Sequence, residues 1–243
     1  MALGFVVTLR NNMLDEITAL IDAGTAGFLR IYAGTQPATC GTATTLLAQC
    51  TFSATSAPAA SGGVWKTTNH GTTFSPIFDG YDSYSIGCVT IAPSNNNTIW
   101  VGSGENNNQR SVAFGDGVYK SLDGGKSFKN MGLKTSEHIG KIIVHPTNEN
   151  IIWVAAYGPV WSSGGERGVY KSTDGGETCT KTLDISENTG FAEIAIDPND
   201  PSTLYASAHQ RRRREWTYIG GGPESGLHKS TDGGMTWKQI NKG

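Results

Sequence analysis

Gly168-Val-Tyr-Lys-Ser-Thr-Asp-Gly-Gly-Glu-Thr-Cys179 is the stretch that decides the fold, because it occurs four times without gaps. The sibling copies are Gly63-Val-Trp-Lys-Thr-Thr-Asn-His-Gly-Thr-Thr-Phe74, Gly117-Val-Tyr-Lys-Ser-Leu-Asp-Gly-Gly-Lys-Ser-Phe128 and Gly226-Leu-His-Lys-Ser-Thr-Asp-Gly-Gly-Met-Thr-Trp237. Their starts lie 54, 51 and 58 residues apart, counted between positions 63, 117, 168 and 226. In each copy a short β-prone segment runs into a polar tight turn. Asp123, Asp174 and Asp232 are placed to accept backbone N–H groups within their own turn. The glycine pair that follows supplies positive φ at little steric cost. The aromatic at 74, 128 or 237 is free to pack between neighbouring units. Asn69 replaces the aspartate in the first copy and His70 the first glycine, which predicts a weaker turn there.

A second element recurs between the copies. Val89–Pro93 leads through an Asn-rich turn to Ile99–Val101, Ile142–Pro146 leads to Ile151–Val154, and Ile194–Pro198 leads to Leu204–Ala206. Each half is short, β-branched or aromatic, and bounded by turn formers, which is the strand–turn–strand signature. One repeat is therefore four strands, A to D, with the quoted turn joining C to D. A period near 50 suits a four-stranded propeller blade.

These residues resemble the Asp-box, or BNR, repeats of sialidases, sortilin-type propellers and xyloglucanase-like proteins, and residues 63–243 look most like bacterial sortilin-like BNR-repeat proteins. The resemblance implies an all-β array of about four four-stranded blades. It implies little about activity, because the box is a turn device shared by enzymes and non-enzymes. Residues 86–240 supply three full strand sets and residues 63–78 only C and D of another.

Nothing before Gly63 repeats. Apolar residues at Leu9, Met13, Ile17, Leu20 and Ile21 predict a helix over 8–23, and Phe28–Tyr32 and Thr45–Phe52 read as two strands. A Thr/Ala/Pro/Gly-rich stretch over 53–63 reads as a linker. Leu9–Asn12, Leu29–Tyr32, Pro37–Thr39 and Thr44–Ala48 resemble the N-terminus of small uncharacterised tailed-phage proteins. That resemblance implies a virion-type anchor over 1–62; the alternative is a cap whose two strands complete the first blade. It also makes a virion or extracellular surface the expected location, with virion proteins or a second copy as possible partners.

The chain has 243 residues, 32 of them glycine, and a net charge of −2. No basic field argues for nucleic acid. No apolar run is long enough to span a bilayer as a helix, and the first residues lack the pattern of a signal peptide. Cys40, Cys50, Cys88 and Cys179 match no zinc spacing. Cys40 and Cys50 are placed to pair across a hairpin, and Cys179 stands in an aromatic slot as a small apolar residue. The five histidines show no metal-ligand spacing, so neither metal nor cofactor is expected.

The B–C connections are long: 102–116, 157–167 and 209–225. In a four-stranded blade they leave the end opposite the Asp-boxes. They collect Glu105, Arg110, Trp161, Arg167, Arg211, Arg212, Arg213, Arg214 and Trp216 on one face. Aromatics beside arginines suit a glycan or an acidic protein surface; the competing reading is a merely solvated set of loops. Catalysis is not expected. The sialidase Phe/Tyr-Arg-Ile-Pro signature is missing, with Leu29-Arg-Ile-Tyr32 its nearest stretch. No motif pairs Glu105, Glu166 and Glu224 as the carboxylates of a glycosidase. Gly124-Gly-Lys-Ser127 resembles the end of a phosphate loop, but Lys120 stands where its first glycine is required. The expected role is a non-catalytic propeller that binds a glycan or acidic surface. The alternatives are a fragment of a sialidase- or xyloglucanase-like glycosidase and a purely structural virion module.

Overall fold

A computed structural model describes residues 28–33, 45–51, 63–106 and 113–240. The chain divides into two units, residues 1–60 and 61–243. In the first, β1 (Phe28–Ala33) pairs antiparallel with β2 (Thr45–Thr51), with a register shift at Ile31/Tyr32. The helix expected over 8–23 and the Cys40–Cys50 pairing lie outside the described residues.

Among its described residues the second unit is all-β, apart from one short 3-10 turn at Lys134–Ser136. β3 (Trp65–Lys66) and β4 (Ser75–Pro76) form a two-stranded sheet. β5 (Ile86–Ala92), β6 (Asn95–Ser103), β7 (Val118–Ser121) and β8 (Lys129–Gly132) follow as a four-stranded antiparallel meander. β9 (Ile139–His145), β10 (Asn148–Ala156), β11 (Gly168–Ser172) and β12 (Thr180–Leu183) repeat it. The last sheet runs β13 (Thr189–Ile196), β14 (Leu204–Arg214), β16 (Gly226–Ser230) and β17 (Lys238–Gln239), with β15 (Thr217–Gly220) added to the far end of β14. This is the propeller-type array that the repeat predicts: three complete blades preceded by the outer two strands of another.

Strand B reads as a continuous apolar run because both its faces are buried. In β10, Ile152, Val154 and Ala156 join the core shared with the preceding blade, whereas Trp153 and Ala155 join the core shared with the next. The same alternation governs strand C. Its second residue (Val64, Val118 or Val169) faces the following blade, and its third (Tyr119 or Tyr170) faces the preceding one. The box aromatics face the preceding blade too. Phe128 packs edge-on to Phe78 and Tyr81, Cys179 joins the core of the blade before it, and Trp237 reaches Thr182. Val89 and Ile91 of β5 are exposed on the side toward the two-stranded sheet, which contributes only outer strands.

Two further devices lock the blades. The strand C lysine lies over the strand B aromatic directly opposite: Lys120 on Trp100 at 5.0 Å, Lys171 on Trp153 at 5.7 Å, Lys229 on Tyr205 at 5.4 Å. Lys66 and Lys120 then donate to the Gly124 and Gly175 carbonyls of the next box, at 2.7 and 2.8 Å. Near the start of each strand A a glycine lets adjacent blades approach closely. A Cβ at Gly87 would sit 2.1 Å from the Ile139 carbonyl oxygen, and one at Gly140 2.4 Å from that of Ala192.

The boxes have the hydrogen bonds expected of them. Asp174 accepts from the Thr178 N–H and hydroxyl and from Ser172 Oγ, and Asp123 and Asp232 repeat the pattern. These donors hold all three carboxyls well below the usual carboxylate range, the Thr or Ser hydroxyl at the end of the turn contributing most. The first box keeps the network in spite of its substitutions. Asn69 Oδ1 accepts from the Thr73 N–H at 2.9 Å, and His70 takes the left-handed conformation (φ 55°) of the glycine it replaces.

Candidate functional site

Opposite the boxes, the B–C connections of three blades meet. In the first, Asn106 reaches over two strand A glycines and donates from Nδ2 to the Gly140 and Gly87 carbonyls, at 3.0 and 3.3 Å. Glu105 is exposed and turns back on its own loop, its carboxylate 3.5 Å from the Ala113 N–H. Arg110 lies outside the described residues.

The second connection folds inward around Arg167, which is fully buried. Its guanidinium donates to the carbonyls of Tyr157 (3.0 Å), Ser162 (2.8 Å) and Pro159, and its Nε to that of Gly164 (2.8 Å). Burial pulls its pKa down to about 10, with the charges of Arg211 and Arg212 adding to the effect. Arg167 is thereby placed to shape the loop rather than to meet a partner. Trp161, on the same loop, is 51% exposed.

The third connection is not the open loop that the sequence suggests. β14 runs straight on through the arginines to Arg214, turns at Glu215-Trp216 and returns as β15, pairing Arg211 with Gly220 and Arg214 with Thr217. Strand geometry then separates the arginines by face. Arg211 is buried, with its guanidinium carbon 3.3 Å from the centre of the Tyr157 ring and one N–H on the Asn106 carbonyl at 3.2 Å. Arg213 lies over the Tyr218 ring at 5.4 Å. Arg212 donates to Ser163 Oγ at 3.2 Å, and the Arg213 N–H donates to the Val160 carbonyl at 2.9 Å. The hairpin is thus tied to the loop that carries Trp161. Arg214 is exposed, and Trp216 at the tip is 77% exposed.

Tyr157, His209, His138 and Glu137, not singled out from the sequence, lie beside the residues that were. The Tyr157 hydroxyl bonds His209 Nδ1. His138 is fully buried, and burial pushes its pKa down to about 4, helped by the charges of Arg211 and Arg167. Glu224 accepts from Ser186, Thr189 and Gln210, and the Ser186 and Thr189 bonds, the former most, hold its pKa below the ordinary value. Glu166 accepts from the N–H and hydroxyl of Thr135, both at 2.9 Å. Glu137 is half-buried at φ 61°, and burial raises its pKa. Among the described residues no three His, Cys, Asp or Glu side chains converge as metal donors.

The sequence model of the Sortilin-Vps10 family, described as sortilin, neurotensin receptor 3, matches residues 62–219. No curated protein matches the chain. Among solved structures, an ancestral GH74 enzyme superposes with a TM-score of 0.55 at 21% identity, over 75% of this chain and 22% of that one. A GH74 enzyme of Niastella koreensis gives 0.51 at 24% identity, over 73% and 26%. The GH74 xyloglucanase of Xanthomonas campestris gives 0.52 at 17% identity, over 89% and 28%. At such identities the likeness is one of fold, and the chain spans about a quarter of the length of these structures.

Proposed function

This chain belongs to the Sortilin-Vps10 family, and on that premise we propose that it is a non-catalytic binding module whose arginine hairpin and Trp161 loop engage an anionic glycan or an acidic protein surface. One observation carries the reading. A two-stranded hairpin holds Arg212, Arg213 and Arg214 beside Trp216 and Tyr218, and a backbone and a side-chain hydrogen bond tie it to the loop of Trp161. Aromatic rings stack on sugar faces, and guanidinium groups pair with carboxylate, sulfate or phosphate. One of the similar structures is a xyloglucanase, which makes glycans the first ligands to test.

The test is a glycan array with neutral, sialylated and sulfated members, followed by titration of the hits. Replacing Arg212 and Arg213 with Ser should weaken binding and flatten its salt dependence. Trp216→Ala should cost about tenfold or more in affinity, the scale of one lost aromatic stack. Lys126→Ser, on the box face, should change nothing. Binding that survives both hairpin variants refutes the site.

A second reading, a glycosidase fragment, is favoured by Glu137. Its raised pKa and its backbone at φ 61° suit a general acid on the same face. Glu224 argues the other way, since its hydrogen bonds favour the ionised form. Product release from aryl glycosides, abolished by Glu137→Gln, would establish the enzyme. The family match begins at residue 62, so the phage resemblance of residues 1–62 draws no support from it.

A further inference from the structure

β14 outruns its partner β13, whose pairing with it ends at Gln210. Beyond that point β15 lines the strand C side of β14, runs back along it and leads through 221–225 into β16. The Gly221 N–H on the Gln210 carbonyl, at 2.8 Å, joins the two stretches. β15 is thus strand C prolonged above the sheet, and among the described residues β14 is the only strand that pairs with it. The ladder shows which groups stay outward. The Arg213 N–H points away from β15 and donates to the Val160 carbonyl at 2.9 Å. Opposed residues of an antiparallel pair turn their backbone groups both inward or both outward. Tyr218, opposite Arg213, therefore turns its N–H and C=O away from β14, and Gly220, two residues on, does the same.

All four residues of β15 are exposed, and none is a proline, a lysine or any other charged residue, the usual devices that blunt an edge. The edge looks toward the rim, the side that strand D takes lower in a blade, whereas neighbouring blades pack on the faces of a sheet. The earlier blades show that strand D stays clear of this level. It ends opposite the second residue of strand C, at Gly132 and Leu183. The chain then turns inward, and the Glu137 and Glu187 carbonyls accept from Gly115 and Gly164, two and four residues before the glycines that head strand C, Gly117 and Gly168. The matching positions before Gly226 are 224 and 222, between β15 and β16. Arg213 reaches over the Tyr218 ring on one face of the hairpin, and Arg212 and the exposed Arg214 stand with Ile219 on the other.

We propose that β15 takes up an extended acidic segment of another protein as a third strand of the hairpin, its main chain bonded to the outward groups of Tyr218 and Gly220. A strand added there lies about 4.8 Å from β15 and sets its side chains alternately on the two faces. Its carboxylates then meet Arg213 on one face or Arg212 and Arg214 on the other. This rests on the hairpin being the binding site and narrows its partner, because a glycan has no backbone of alternating N–H and C=O groups to complete the ladder.

Calorimetric titration of the full chain with a blocked peptide of alternating Glu and Val tests this, beside the same peptide methylated on its backbone nitrogens and a sulfated glycan of similar charge. The parent peptide should bind, and methylation should weaken it at least about tenfold at unchanged charge, the scale of one or two backbone hydrogen bonds. Gly220→Pro removes an outward donor without touching a bond to β14 and should weaken binding equally. Gly220→Ala brings the same crowding at the Tyr218 ring but keeps the N–H, so it should stay within about twofold of the parent chain. Hydrogen exchange at the Tyr218 and Gly220 amides should slow in the complex. A methylated peptide that binds as well as the parent, or a bound parent that leaves those amides unprotected, overturns the proposal; if Arg212→Ser still abolishes that binding, the hairpin stands as the binding site. Glycan binding without peptide binding overturns the strand addition alone. Binding of neither overturns both the strand addition and the site on which it rests.

Discussion

Ser172→Ala isolates what makes an Asp-box rigid. Ser172 Oγ accepts from the Gly176 N–H at 2.8 Å and the Asp174 N–H at 3.3 Å, and donates to Asp174 Oδ1 at 2.7 Å. The bond to Gly176 is buried, so alanine strands a backbone donor that water cannot reach. An unsatisfied buried donor costs about 1–3 kcal/mol, and we take about 2 kcal/mol as the central value. For a unit of this size that is a fall in Tm of about 4–8 °C. Thr67→Ala is the internal control. Its hydroxyl accepts the equivalent N–H of Gly71 at 2.9 Å, but in an exposed turn. Water replaces that bond, so the loss should stay within about 0.5 kcal/mol. Thermal unfolding followed by circular dichroism, backed by urea midpoints, reads both. Ser121→Ala and Ser230→Ala should behave like Ser172→Ala, because Gly125 and Gly234 make the same buried bonds. Equal losses for Ser172→Ala and Thr67→Ala would refute the reasoning, since burial would then not decide the cost.

The box carboxylates should also set the acid limit. Their folded pKa values are depressed, so the stability they contribute is complete above the ordinary carboxylate pKa near 4 and drains away as pH falls below it. Urea midpoints should drop steeply below pH 4, and Asn at 123, 174 and 232 together should flatten that drop; an unchanged slope would contradict the account. His138 acts in a higher window. It stays neutral in the fold down to about pH 4, whereas an unfolded histidine takes a proton near pH 6.5. The unfolded state therefore binds more protons between those values, so stability should rise with pH across the window, and His138→Gln should reduce that rise. Gly140→Ala should destabilise by about 1–3 kcal/mol, because its Cβ meets the backbone of Ala192 in the next blade rather than a movable side chain. A neutral result in urea titration would mean that the strands separate at no cost.

The array was legible because its signals are periodic and local. Four box copies in register fixed where β7, β11 and β16 end, and the strand–turn–strand runs fixed the inner strands, since β-branched residues buried on both faces read as apolar runs. The arginine run reads as a loop for an equally physical reason. A strand extending beyond its sheet has polar residues on both faces, so no alternation of apolar and polar marks it. Its turn, Glu215-Trp216, has none of the Gly or Asn that announces a two-residue hairpin. The strand A glycines carry no sequence signal because their reason is a carbonyl in the neighbouring blade, far away along the chain.

Arg167 and Arg212 show why composition alone places residues on a face but not in a role. Both are arginines on long B–C connections. A loop that folds inward buries its own carbonyls, and these need donors. Arg167 supplies them, and with four carbonyl contacts it has little left to offer a ligand. Arg212 lies on a strand whose backbone is already satisfied by β15, so its guanidinium is only lightly engaged, on Ser163. The division follows from which backbone groups the local structure leaves unpaired. It predicts that Arg167→Ser will lower stability before it touches binding, whereas Arg212→Ser will do the reverse. Tm and affinity measured on the same two variants decide the matter: if Arg167→Ser keeps its Tm and loses binding, the inward loop is the recognition site and the hairpin is its support.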